Sequence, residues 1–419
     1  MLTTLSNLFS TLFNRDELLV RARALHAVER VKKLHPADVL LAVVRSKFSS
    51  EHPSIATARR ELQAQTGYAP EESSFYERFT WGLGDLAWET FLRALARANR
   101  QQRQLVSRAL GLPVRDVRVV DSTVVTMPVR AAYYLPSTDS RLGGFKITTT
   151  LSLLEDLLVA AHVTDARQND RKVLGTLKQV AAVLWIMDRG YFDHHLCADI
   201  ADGGGYFLIR LKTGSKPVIK TIRRGYTRRL INRHFDAQSP SYANTVDIDA
   251  RFNVSGVGQK MFRVVGIRVP KERQRKDQWI WLTTNLPPTI PPETVGAFYR
   301  LRWAIENLFR TLKSVGRLDE LPSANPAVIK VFIAATLLGL VLSQSICAIM
   351  RTARPTCEPS LGRVFAMLLS NLASLSVAFQ TQRFKPALTC FIAALWREGL
   401  NPNPGRRYAR ERHLCSLGD

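Results

Sequence analysis

The sequence predicts a mixed α/β core that is interrupted by a β-rich insertion and flanked by helical N- and C-terminal regions. Apolar residues recur every three to four positions up to about residue 112 and again from about residue 293, which is typical of amphipathic helices. Between these regions, short apolar runs rich in Val, Ile and Thr favour strands. A helical segment among these strands indicates an α/β sheet rather than a helical bundle.

Composition favours a globular protein with a polyanionic partner. The chain has 419 residues, a hydrophobic fraction of 46% and a formal net charge of +24. Such a length suggests roughly two to four domains, and this hydrophobic fraction is enough for a sizeable core. So large a positive excess indicates nucleic acid as the first candidate partner and an anionic membrane as the second. A basic surface without a dedicated partner is the alternative.

The cysteines predict a reducing compartment. Five of them are scattered along the chain without any CxxC pair, which argues against a disulfide framework and a structural zinc site. The first residues lack the basic start, apolar stretch and small-residue site of a signal peptide. We therefore expect a cytoplasmic protein, and a nucleoid-associated prokaryotic one if its partner is DNA.

One uncharged segment, residues 331–350, is about as long as a membrane span. Gly339, Ser343, Gln344 and Ser345 dilute its apolar character, and a buried helix of a large soluble protein gives the same pattern. We interpret the segment as a buried helix and expect no membrane partner. An integral membrane protein anchored by this helix is the alternative, and solubility without detergent would separate the two.

Residues 1–112 are predicted to form a helical N-terminal domain. Two of its segments carry apolar residues at helical spacing, and the second stops before Pro113. On that second segment, Arg93, Arg97 and Arg100 share one helix face because they are four and three residues apart. This face is either solvated or a DNA-binding surface, and the sequence leaves both open.

Residues 113–213 are predicted to form the first part of the α/β core. Strand candidates begin at residues 116, 145, 157, 183 and 206, and a helical segment begins at residue 171. The run that begins at Val183 is apolar throughout and ends at Asp188, followed by the turn signal Arg189-Gly190. This pattern indicates a buried strand with an aspartate at its end.

Residues 214–288 differ in composition and are predicted to form a β-rich insertion bounded downstream by four prolines. The insertion begins with a basic run that contains no acidic residue, and four of its arginines are predicted to bind DNA: Arg223, Arg224, Arg228 and Arg229. Three strand candidates follow. Trp279 and Trp281 could stack on a displaced base, but because they alternate with Ile280, at least one of them is expected in the core.

Helices resume after the insertion. Residues 289–350 are predicted to form the second part of the core, and residues 351–419 a helical C-terminal region with a basic tail. The helix predicted from residue 294 contains Tyr299, Arg302, Glu306 and Lys313, whose spacing of three, four and seven places them on one face. Basic groups suit phosphate oxygens, and a carboxylate among them suits a metal ion beside that phosphate. A solvated face with an Arg302–Glu306 ion pair is the alternative.

The same four residues resemble the Tyr-(2)-Arg-(3)-Glu-(6)-Lys signature of the insertion-sequence-four family of DDE transposases. Trp303, directly after the arginine, also resembles the family pattern and is carried over as a DNA-binding residue. In that family the signature surrounds the third catalytic acid. The resemblance therefore implies a catalytic role for Glu306 and DNA contacts for the residues around it.

The resemblance requires two aspartates upstream, each at the end of an apolar strand of an RNase-H-like sheet. Asp121, in the run RVVDSTVV, is similar to the family's first motif, and Asp188, in VLWIMDRGYFD, is similar to the second. The long interval between Asp188 and Glu306 resembles members with a β-rich insertion before the last acid. The resemblance thus covers roughly residues 115–350 and implies an RNase-H-like core divided by the insertion.

Three carboxylates suit divalent metal ions because hard cations prefer oxygen ligands. The resemblance implies two Mg²⁺ ions, with Mn²⁺ as a substitute, held by Asp121, Asp188 and Glu306 during phosphoryl transfer. It implies cut-and-paste transposition with a hairpin step, transposon-end and target DNA as partners, and a homodimer that pairs two ends. Tyr299, Arg302 and Lys313 are expected to grip the phosphates of the transposon end.

Other acidic and histidine residues are weaker candidates for the site. Asp165 is expected in a turn and Asp170 at a helix N-cap. Asp193, His194 and His195 lie close to Asp188 in the sequence, but no partner stands at zinc spacing, so a role at the surface or at a helix start is favoured.

Two further functions remain open: a catalytically silent DNA-binding regulator of transposition, and a related RNase-H-like nuclease that cuts without joining.

Overall fold

The computed structural model shows a mixed α/β protein built on one large sheet. It describes the following residues: 1–29, 34–47, 52–101, 114–127, 129–137, 142–169, 180–212, 214–237, 243–269, 279–380 and 384–402. Four elements of the sequence prediction lie outside these ranges: residues 102–112 of the N-terminal region, Asp170, the helix expected from residue 171, and the basic tail after residue 402.

The sheet has nine strands among the described residues, in the order β3-β2-β1-β4-β5-β9-β8-β7-β6. Their bounds are β1 Asp116–Met127, β2 Gly143–Ser152, β3 Leu157–Asp165, β4 Val183–Met187, β5 Tyr206–Arg210, β6 Val218–Arg224, β7 Thr245–Val254, β8 Gly258–Arg268 and β9 Trp279–Thr284. β4 is parallel to β1 and to β5, and the remaining neighbours are antiparallel. All eight strands that the sequence predicted are present, and β6 is an additional one.

The described helices are α1 Leu2–Leu12, α2 Arg15–Ala24, α3 Pro36–Ser46, α4 Ile55–Thr66, α5 Glu72–Tyr76, α6 Trp81–Gln101, α7 His194–Asp202, α8 Pro292–Arg300, α9 Trp303–Ser314, α10 Pro326–Ala353, α11 Leu361–Gln380 and α12 Phe384–Glu398. The N-terminal helices α3 and α6 pack against α10, so they lie beside the core rather than apart from it.

β4 has a core on both of its faces. Leu184 and Ile186 belong to the large core with the helices, whereas Trp185 and Met187 belong to a second core between the opposite face and the insertion. A continuous apolar run is what a parallel strand covered on both sides requires. Because side chains alternate along a strand, the next residue, Asp188, lies on the helix-covered side.

The insertion continues the core sheet, since β9 pairs with β5 and leads to β8, β7 and β6. Its interior contains an ion pair: the guanidinium of Arg263, 3% exposed, donates to both carboxylate oxygens of Asp247 at 2.8 and 2.7 Å. Trp281 is buried and packs on Gly266, where an added Cβ would lie 2.3 Å from the indole ring. The prediction that at least one tryptophan of this strand belongs to the core is therefore confirmed.

Helix α10 contains the uncharged segment 331–350. By length and composition it is the one described helix that could cross a membrane, and 89% of its most apolar window is buried inside the protein. The Gln344 side chain joins it to the sheet edge by accepting from the backbone N–H of Leu158 at 3.1 Å. This burial agrees with the interpretation as a core helix.

Candidate active site

The two predicted aspartates lie side by side on neighbouring parallel strands. Val120 of β1 is in register with Met187, the last residue of β4, so Asp121 and Asp188 directly follow this pair in the chain. β4 stops at this point, whereas β1 continues to Met127, so Asp121 lies within its strand rather than at its end. Both carboxylates are directed toward the side of the sheet on which α9 packs.

The signature residues do not lie on one continuous helix, which corrects the sequence prediction. Tyr299 lies on α8, Glu306 and Lys313 lie on α9, and Arg302 occupies the junction. At this junction the backbone N–H groups of Leu301, Arg302 and Ile305 each donate three residues back rather than four. This tightened turn keeps the helical direction, so the four side chains still point to the same region.

Arg302 and Tyr299 join the helices to both aspartates. The Nη1 group of Arg302 donates to Oδ2 of Asp121 at 2.8 Å, and its Nη2 group donates to Oε1 of Glu306. The hydroxyl of Tyr299 donates to Oδ1 of Asp188 at 3.0 Å. The structure therefore brings the three predicted acids together around one guanidinium and one phenol, although they are far apart in the sequence.

Burial changes the acid–base chemistry of the site. Desolvation raises the pKa of Asp121 from 3.8 to about 6, and the neighbouring Asp188 and Glu306 act in the same direction; the Ser122 N–H and Arg302 oppose it. Burial, with the nearby carboxylate of Asp188, also raises the pKa of Tyr299 above its ordinary value. Asp121 thus carries a negative charge that its surroundings compensate only in part.

Lys313 lies beside the same strand, in the last turn of α9. Its Nζ donates to the carbonyl oxygen of Val124 at 3.2 Å and stands 3.7 Å from Oδ1 of Asp319. About a third of the side chain is exposed. The ammonium group is therefore at the rim of the site, within reach of both the sheet and solvent.

The acids fit a divalent metal ion in donor chemistry but are not yet arranged as a ligand set. Carboxylate oxygens are the ligands that Mg²⁺ prefers, and the raised pKa of Asp121 indicates uncompensated negative charge. Among the described residues, however, no three His, Cys, Asp or Glu side chains are grouped so that they could hold one ion. The guanidinium of Arg302 lies between the acids instead, where it forms ion pairs with Asp121 and Glu306.

Arg210 also belongs to the site, and the sequence analysis missed it. It ends β5, and the register of Met187 with Ile209 places it beside Asp188. Its charge acts on Tyr299, where it lowers the pKa against the stronger effect of burial. The sequence did contain a signal for Arg210, because it is a basic residue at the end of the strand that follows Asp188.

Of the four predicted DNA-binding arginines of the insertion, two form ion pairs with acidic residues and two are exposed. Arg223 donates to Asp247 at 3.2 Å and also to Asp249, and Arg224 donates to Glu293 at 2.7 Å. Arg228 and Arg229 lie exposed on a 3₁₀ turn. Trp303, at the first turn of α9, is 59% exposed. None of these five side chains joins the group of three acids.

The competing candidates have the structural roles that the sequence favoured. Asp193 caps α7 by accepting from the backbone N–H of His195 at 2.8 Å. His194 packs between the rings of Phe192 and Phe252. Asp165 accepts from the N–H of Arg167 at 2.9 Å in the turn after β3.

In the N-terminal region, Arg93 forms an ion pair with Glu17 at 2.6 Å. This pairing favours a structural role for at least one residue of the predicted basic face. The DNA-binding role of that face stays a prediction.

Comparison with known proteins identifies the family. The family described as transposase DDE domain matches residues 112–342. Because the match spans more than half of the chain, the protein belongs to this family of DNA transposases. The resemblance drawn from the Tyr-Arg-Glu-Lys signature is confirmed.

The similar proteins are also named as transposases. The chain is 22% identical over 363 residues to the transposase for insertion sequence element IS231D of Bacillus thuringiensis subsp. finitimus, covering 77% of this chain and 75% of that protein. It is 24% identical over 267 residues to the putative transposase y4zB of Sinorhizobium fredii, covering 64% of this chain and 69% of that protein. A cryo-EM structure of the piggyBac transposase synaptic complex with hairpin DNA aligns with a TM-score of 0.47 at 10% identity, over 92% of this chain and 85% of that one.

Proposed function

We propose that this transposase excises its element by cut-and-paste chemistry, with Asp121, Asp188 and Glu306 as the catalytic acids. The observation that carries the proposal is their convergence through Arg302 and Tyr299. A regulator that only binds DNA does not need three acidic side chains, two from the sheet and one from α9, close together in one site. The site lies at a rim that Lys313 and the exposed Trp303 flank, where a DNA strand has access.

The core is proposed to be RNase-H-like. Support comes from the first five strands, in which β1, β2 and β3 form an antiparallel meander and β4 and β5 continue it in parallel on the side of β1. The β-rich insertion then follows β5, before the helix with the last acid. The proposed division is 113–213 and 289–350 for the core, with the insertion at 214–288.

The three carboxylates would hold two Mg²⁺ ions, or Mn²⁺ in their place. When bound, these ions would activate the attacking oxygen and stabilise the leaving oxygen at the phosphorus. Arg302 holds two of the acids in the free protein. For these acids to bind metal ions, Arg302 would release at least one of them. Its guanidinium would then be available to the DNA phosphate, which it can bind through two parallel hydrogen bonds. Tyr299 orients the Asp188 carboxylate.

In the first step a water oxygen would form a bond to phosphorus at the element end, and the bond to the 3′ oxygen would break. The freed 3′ hydroxyl would then attack a phosphorus of the opposite strand, where the bond to the 3′ oxygen of the flanking DNA breaks and a hairpin forms. A water oxygen would open the hairpin by forming a bond to that phosphorus and releasing the 3′ hydroxyl of the element. This hydroxyl would finally attack a phosphorus of target DNA, where the bond to the target's own 3′ oxygen breaks. Lys313 and Trp303 are proposed to hold the end, while Arg228 and Arg229 hold flanking phosphates. A homodimer would pair two ends in the cytoplasm of a prokaryotic cell.

The test is cleavage and joining of a labelled duplex that carries the element's own ends, with Mg²⁺, comparing wild type with Glu306→Gln. The substitution keeps size but removes the charge. We expect the wild type to cut and join, and the variant to bind the ends without cutting. Binding without cutting by the wild type under any divalent metal would instead indicate a regulator, and cutting without joining would indicate a nuclease. Loss of end binding by the variant would contradict the assignment of Glu306.

A further inference from the structure

A buried lysine of the N-terminal region contacts the loop that follows α9. Lys47 follows α3 and is completely buried. Its Nζ donates to the carbonyl oxygens of Arg317 and Glu320, each at 2.6 Å. These two carbonyls belong to the loop between α9 and α10, so the contact joins parts of the chain about 270 residues apart.

A fully buried ammonium group is costly unless its hydrogen bonds are satisfied. Burial lowers the pKa of Lys47 to about 7. A methionine or leucine would fill the same space without this cost, so the packing alone does not account for a lysine. Its three N–H donors, of which two bind carbonyl oxygens, are what an apolar side chain lacks.

The loop that Lys47 holds has an unusual backbone. Arg317 adopts a left-handed conformation with φ +48°, which is unfavourable for a residue other than glycine. A side chain added at Gly316 would bring Cβ to 2.6 Å from the carbonyl oxygen of Leu312, so the loop folds closely onto the end of α9. The Arg317 side chain closes the loop by donating to Glu320 at 2.9 Å.

The loop also presents the partner of Lys313. Asp319 lies between the two residues whose carbonyls Lys47 binds, and its carboxylate stands 3.7 Å from the Lys313 ammonium. Lys313 in turn contacts the carbonyl of Val124, three residues after Asp121 on β1. A continuous series of contacts therefore leads from the N-terminal region to the rim of the catalytic site.

We propose that Lys47 is a positioning residue, through which the N-terminal helical region fixes the place of Lys313 at the catalytic strand. The proposal rests on the proposed function, in which Lys313 binds a phosphate of the element end. Lys47 itself has no exposed surface, so its side chain is not placed to contact DNA. Its effect on DNA is exerted through the loop and Lys313.

The salt dependence of end binding tests this proposal. Each phosphate contact contributes about 0.9 to the slope of log affinity against log salt concentration. We expect Lys313→Ala to lower the magnitude of the slope by about 0.9, and Lys47→Met to lower it by the same amount. The double variant should show no further loss. The probe is a fluorescent duplex taken from the element's end, titrated with the full chain at several salt concentrations.

Lys330→Met is the matched control. It removes the same charge from a lysine of α10 whose partner, Asp85 at 2.5 Å, lies on α6 and not in the loop. The control should leave the slope unchanged. If Lys313→Ala has no effect on the slope, the proposed DNA contact fails. If Lys313→Ala has its effect but Lys47→Met has none, or if the two effects add, the positioning role is refuted.

A measurement on the wild type covers the case in which Lys47→Met does not fold. Acylation of lysines in the native protein, followed by peptide mass mapping, should modify exposed Lys385 at least tenfold faster than Lys47. Bound end DNA should protect Lys313 and leave the Lys47 rate low. Equal rates for Lys47 and Lys385 would mean that the contact with the loop does not exist.

Discussion

Replacement of Asp121 by asparagine should stabilise the metal-free protein at neutral pH. Folding moves the pKa of this carboxyl from 3.8 to about 6, mainly by desolvation. A tenfold change in proton affinity corresponds to ~1.4 kcal/mol, so the ionised carboxylate destabilises the folded state by about 3 kcal/mol. Asparagine has nearly the same shape and no charge, so it removes this penalty. Its single amide oxygen can accept from Arg302 or from the Ser122 N–H, both of which the carboxylate binds, so about 3 kcal/mol is the upper value of the gain.

The sign and the pH window follow from the raised pKa. Below the unfolded-state value of 3.8, Asp121 is protonated in both states and the penalty is absent. The penalty grows as pH rises toward about 6 and is complete above it. The free energy of unfolding of Asp121→Asn should therefore exceed that of the wild type by up to about 3 kcal/mol at pH 8, and this difference should shrink steadily as pH falls below 6.

Urea denaturation at a series of pH values, with a chelator present, measures this difference. Asp202→Asn is the control, because its carboxylate is exposed and pairs with Lys260 at 2.8 Å on the surface. The control should change stability little. An Asp121→Asn variant that is less stable than the wild type at pH 8, or a difference independent of pH, would refute the reasoning. Added Mg²⁺ should stabilise the wild type more than the variant.

Two other substitutions test the frame around the site. Arg263→Met leaves the buried Asp247 carboxylate without its main partner, so it should cost ~3–5 kcal/mol in urea denaturation; a loss below 1 kcal/mol would contradict the buried ion pair. Tyr299→Phe removes the hydrogen bond to Asp188, so half-maximal cleavage should require ~10–100-fold more Mg²⁺. An unchanged Mg²⁺ requirement would mean that the phenol does not orient the metal-binding carboxylate.

Sequence reasoning located the strands that carry Asp121 and Asp188 because their signal is local. The continuous apolar run from Val183 is typical of a strand with a core on both faces. Because side chains alternate, the position of Asp188 directly after this run fixes the face of the sheet on which it lies. The separation of α8 from α9 was not predictable in this way. A turn tightened by hydrogen bonds three residues back preserves the direction of the side chains, so the spacing of Tyr299, Arg302 and Glu306 is compatible with one helix or two.

The contacts of the basic residues depend on tertiary structure, so they could not be predicted from the sequence. The run with Arg223 contains no acid in the sequence, yet strand β7 brings Asp247 and Asp249 beside it. Lys47 shows the same limit, because a lysine after a helix gives no local sign of burial or of a partner about 270 residues away. Arg210 was missed because its closeness to Asp188 depends on the register of β4 and β5.

The central claim is that Asp121, Asp188 and Glu306 together hold the catalytic metal ions. Iron-directed cleavage of the polypeptide tests it most directly. Fe²⁺ replaces Mg²⁺ and reduces added hydrogen peroxide to hydroxyl radicals, which cut the backbone next to the bound iron, while ascorbate returns Fe³⁺ to Fe²⁺. We predict cuts in three segments, around residues 121, 188 and 306, that excess Mg²⁺ suppresses and Asp121→Asn weakens. Cuts outside these segments, or cuts that excess Mg²⁺ does not reduce, would contradict the claim.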